Sequence, residues 1–160
     1  MTAVTEFEEK ESSSEDGDLT DLLGELRVLL PGAQTLTAFL IILPFNNGFA
    51  DIIGAEKVVY AVTFVCSLLS LILFTAPAAQ HRLQRPLRNR PEFKEEATRL
   101  IVIGLVPLSI ALILASQLVL SQVIVTKWVS WAVCGSFTVV IGLLWWIMPL
   151  VRRRRLDEQR

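Results

Sequence analysis

Four stretches of this 160-residue sequence contain no Asp, Glu, Lys or Arg: residues 28–50, 58–81, 100–126 and 128–151. That pattern limits the fold more than any other feature. A hydrocarbon layer of about 30 Å requires roughly 20 consecutive apolar residues in a helix. Lipid offers no partners for backbone N–H and C=O groups, so a spanning segment must satisfy them within itself. The chain is therefore predicted to be an all-α integral membrane protein, a bundle of four transmembrane helices. No internal repeat relates the two halves.

The charges lie between and beyond these stretches. Nine of the 16 acidic residues lie before residue 26 (Glu6, Glu8, Glu9, Glu11, Glu15, Asp16, Asp18, Asp21 and Glu25). Residues 1–17 are acidic, Ser-rich and poor in large apolar groups, so they are predicted to be a disordered tail. They also lack the basic start and apolar core of a signal peptide. Over residues 18–31, Leu19, Leu22, Leu23, Leu26, Leu29 and Leu30 recur at helical spacing. This predicts an amphipathic interfacial helix that starts at Asp18 and bends at Pro31-Gly32. Its polar face is mostly acidic, which favours docking on a basic protein loop over anionic lipid. The spans are expected at about 33–53, 58–79, 100–125 and 129–151.

Lys and Arg placement orients them. Arg82, Arg85, Arg88, Arg90, Lys94 and Arg99 lie in or border one connection, and Arg152, Arg153, Arg154, Arg155 and Arg160 form the C-terminal tail. The two opposite loops carry one cation each, Lys57 and Lys127. Both termini are expected on the cytoplasmic side. The fourth span has Trp128 and Trp131 at one end and Trp145 and Trp146 at the other, an aromatic belt at each interface.

Candidate chemistry is sparse. In the second span Tyr60, Thr63, Ser67, Ser70, Phe74, Pro77 and His81 fall at alternating steps of three and four. In the fourth, Trp128, Trp131, Gly135, Thr138, Gly142, Trp145 and Pro149 do the same. Small and hydroxyl residues at this spacing let helices approach closely and exchange hydrogen bonds in lipid, so a packing seam is the default reading of both stripes, of Thr63, Ser67 and Ser70 as of Gly135, Thr138 and Gly142. The functional reading of Thr63, Ser67 and Ser70 is the lining of an ion path. Asn46, Asn47 and Asp51 would then stand at its outer mouth, where amide and carboxylate oxygens suit a hard cation. If the helix ran on towards Ile53, Asn47 and Asp51 would share a face.

Ser109 and Ser116 share a face of the third span with Gln117 beside it, and Gln34 and Thr37 lie together in the first. A Gln in lipid needs a partner, so each is expected to face the bundle interior or a subunit contact. No ionisable side chain lies near a span centre, which weakens any proton-coupled mechanism. His81 is expected at headgroup level among the arginines. Cys66 and Cys134 read as small apolar packing residues, and neither they nor His81 has metal-ligand spacing. No metal or cofactor is expected. Nothing supplies a catalytic triad, a phosphate loop or paired carboxylates, so no enzyme activity is expected. Arg152, Arg153, Arg154 and Arg155 read as a topology signal and an anionic-lipid contact rather than a nucleic-acid site.

The segments Glu25–Leu40 ("ELRVLLPGAQTLTAFL"), Thr75–Leu83 ("TAPAAQHRL") and Glu95–Leu105 ("EEATRLIVIGL") resemble a family of small bacterial membrane proteins. These occur mainly in actinobacteria and have four predicted spans and no assigned function. The resemblance covers roughly residues 19–125. Some members carry an automated sodium:proton antiporter label. Relatives tend to have Gln or Arg just after the Pro-Phe pair, where this chain has Asn46-Asn47-Gly48. The resemblance implies a multi-pass protein of the bacterial inner membrane.

Two functions are expected on these grounds. One is a small oligomeric cation channel or transporter. The other is a non-catalytic accessory subunit of a larger membrane complex. In either case the partners are the bilayer, including its anionic lipids, and further copies or other subunits, because 160 residues scarcely enclose both a gated path and a packing core.

Overall fold

The computed structural model describes residues 2–49, 54–83, 90–123 and 127–157. Helix α1 spans Thr2–Ile42, α2 Gly54–Leu83, α3 Arg90–Val123 and α4 Lys127–Ile141, and a π-helical turn over Gly142–Ile147 leads into α5, Met148–Asp157. There is no strand among the described residues. Among the described residues four helices are long and apolar enough to cross a membrane: Asp21–Phe45, Gly54–Leu83, Glu92–Val123 and Trp128–Arg152.

The N-terminal third departs from expectation. Residues 2–17, expected to be disordered, are helical, and α1 continues through Pro31 without the expected bend. Extending an existing helix costs far less than nucleating one, and Glu and Lys are good helix formers, so the head extends the first span. Proline removes one ladder bond, but such breaks are tolerated in membrane helices where nearby groups re-satisfy the backbone. The bond lost at Pro31 is the one to the Arg27 carbonyl; the Thr35 hydroxyl bonds the Pro31 carbonyl itself at 2.8 Å and does not replace it. Residues 18–31 therefore form no separate helix but lie within α1, and most of them fall in the first half of Asp21–Phe45, a stretch long and apolar enough to cross a membrane. Pro44 has no N–H with which to extend α1. Two short 3₁₀ turns follow, Leu43–Phe45 and Asn47–Phe49, with Asn46 extended between them at φ −81° and ψ 139°.

A second departure lies near the C-terminus. In the π turn the Met148 N–H bonds the Leu143 carbonyl, five residues back. The next residue, Pro149, has no N–H for Trp145, so the α-helical ladder is already broken at this point. The basic residues expected as a plain tail continue the helix to Asp157.

The chain divides into two compact units. The first comprises Met1–Asp51 with Phe64–Leu108, and the second Ile52–Thr63 with Ser109–Arg160. In the first unit one stripe of α1 is buried (Leu22, Leu26, Ala33, Thr37 and Leu40), along with Phe74 of α2 and Phe93, Ala97, Ile101 and Leu108 of α3. Gly104 makes the closest approach: a Cβ there would sit 2.7 Å from Cε1 of the buried Phe74 ring and 3.1 Å from the Leu73 Cβ. In the second unit the buried residues are Thr63, Ser109, Ala111, Leu118, Ser130 and Cys134.

Candidate functional site

Among the described residues the hydroxyl stripe of α2 is the best-enclosed set of polar groups. Thr63, Ser67 and Ser70 are all 0% exposed, as is Phe74 on the same face. Their protons have identifiable destinations. Thr63 donates to the Val59 carbonyl of its own helix at 2.7 Å. The Thr37 hydroxyl donates to the Ala33 carbonyl at 2.8 Å and lies 2.6 Å from the Ser67 hydroxyl. A hydroxyl carries one proton, so Ser67 is the donor to Thr37 and α2 is fastened to α1. Ser70 donates to the Gly104 carbonyl at 2.9 Å, fastening α2 to α3. That carbonyl lies three residues before Pro107, whose missing N–H weakens the local ladder, so Ser70 supplies a donor beside the break.

The other sequence candidates are dispersed. Asn46 and Asn47 are exposed in the turns after α1, and Asn46 uses its backbone to receive the Phe49 N–H at 2.9 Å. Asp51 lies outside the described residues, and because α1 ends at Ile42, Asn47 is not on a helix continuing from it. Arg152, Arg154 and Arg155 are exposed, and the Arg153 side chain is not described. His81 packs at a tilt on Phe93, ring centroids 5.7 Å apart, at the end of α2 that carries the arginines. Among the described residues no three His, Cys, Asp or Glu side chains are grouped to hold a metal, and Cys66 and Cys134 are free thiols.

The α4 stripe has a different environment. Only 6% of the fourth span's most apolar window is buried, against 33% for the third. Gly135 and Thr138 are exposed, and a Cβ on Gly135 or Gly142 would meet nothing within 4 Å. Within its own unit α4 packs through another face. Ser130 is 3.5 Å from Gln117 Oε1, and the Cys134 thiol lies 3.7 Å from the Ile113 carbonyl. Thr138 and Ser136 turn their hydroxyls back onto Cys134 and Ala132 of their own helix. A groove of about 360 Å³ lies in this unit, lined by Leu112, Ala115, Ser116, Val119, Leu120 and Phe137. Ser116 donates to Leu112 at 2.7 Å, so the groove presents little to a polar ligand.

Two features had no clear signal in the sequence. Gln122 donates to Glu56 at 3.2 Å, tying α3 to the first turn of α2. Gln34, expected to face the bundle interior or a subunit contact, is exposed, whereas Thr37 is buried.

An all-α chain with four helices of membrane-spanning length and hydropathy defines a class rather than an activity. Residues 8–149 match the model of a family described as "Family of unknown function (DUF6328)". The chain belongs to that family. No curated protein and no solved structure matches it.

Proposed function

We propose that the chain is a non-catalytic subunit of an assembly within the bacterial inner membrane, with both termini in the cytoplasm. The supporting observation is the fourth span. It has the small-residue spacing that lets helices approach closely in lipid, yet leaves Gly135 and Thr138 open instead of using them within its own chain. The basic connection and the Arg152–Arg155 run support the orientation and a contact with anionic headgroups.

A cation channel or transporter draws less support. Ser67 and Ser70 are 0% exposed and packed onto Thr37 and Gly104, so protein rather than a water-filled path lies beside them. The automated antiporter label of some relatives meets the same difficulty, since no ionisable group lies near a span centre. Purified full chain in liposomes separates the readings. A subunit that conducts nothing leaves cation and proton gradients intact. A flux that Ser67→Ala or Ser70→Ala alters would make the chain a transporter instead.

A further inference from the structure

We draw no further inference here: the strongest candidate, the apolar groove that α3 and α4 line with Leu112, Ala115, Ser116, Val119, Leu120 and Phe137, carries nothing, because nothing in the structure shows what covers it.

Discussion

The second and fourth spans carry the same kind of pattern, small or hydroxyl residues at steps of three and four, yet they use it in opposite ways. On α2 the stripe is fully enclosed, and two of its three hydroxyls cross to neighbouring helices, Ser67 to Thr37 and Ser70 to Gly104. On α4 the stripe is open, and Thr138 bonds only its own backbone. Such spacing thus marks a face suited to close approach without saying what approaches it. Within lipid the apolar remainder has no preference between lipid and protein, so the polar atoms on a face and their partners decide the matter.

This contrast is sharpest at Gly104. Gly104→Val would force atoms into the buried Phe74 ring and the Leu73 Cβ, neither of which can swing clear, and overpacking of this kind costs about 1–3 kcal/mol. Thermal unfolding in detergent should show the folded chain markedly destabilised. Gly135→Leu, on the open stripe, should leave unfolding within about 0.5 kcal/mol of the wild type. If the two substitutions cost the same, the distinction between a closed and an open face is wrong.

Ser70→Ala removes the donor beside the Pro107 break and should cost about 1 kcal/mol. A smaller effect is expected for Thr37 and Ser67. A double-mutant cycle with Thr37→Val and Ser67→Ala should return a coupling of about 0.6 kcal/mol, typical of hydroxyl pairs between membrane helices. Zero coupling would mean that their 2.6 Å approach does not help join α1 to α2. The smallest stability effect belongs to Gly142→Leu, which should leave folding unchanged and appear only as a shift in native mass.

Hydropathy read the helical class and the number of spans correctly because the requirement is coarse: about 20 apolar residues and no charge. The ends of the first span were harder to read. Pro31-Gly32 looks like a bend in isolation, but neighbouring residues tolerate a single missing ladder bond. The acidic head likewise looks disordered by composition but is carried by a helix already nucleated beside it. That longer helix also bears on "LPFNNGF": Asp21–Phe45 is long and apolar enough to cross a membrane without Asn46 or Asn47.

The α2 stripe was legible as a face, since burial follows helical spacing. The exposure of Gly135 and Gln34 was not, because periodicity does not show which of two small-residue faces meets its own chain. The π turn depends on Pro149 acting on the turn before it, and no spacing rule at Gly142 announces it. The Gln122–Glu56 contact joins residues far apart in sequence, beyond the reach of local pattern.

The most direct test is the native mass and composition of the full chain extracted from bacterial membranes in mild detergent. The account predicts a stable assembly larger than the 17.9 kDa chain, reduced in size by Gly135→Leu or Gly142→Leu while each variant remains folded. A folded monomer that carries no partner, and that moves cations across a liposome membrane, would contradict it.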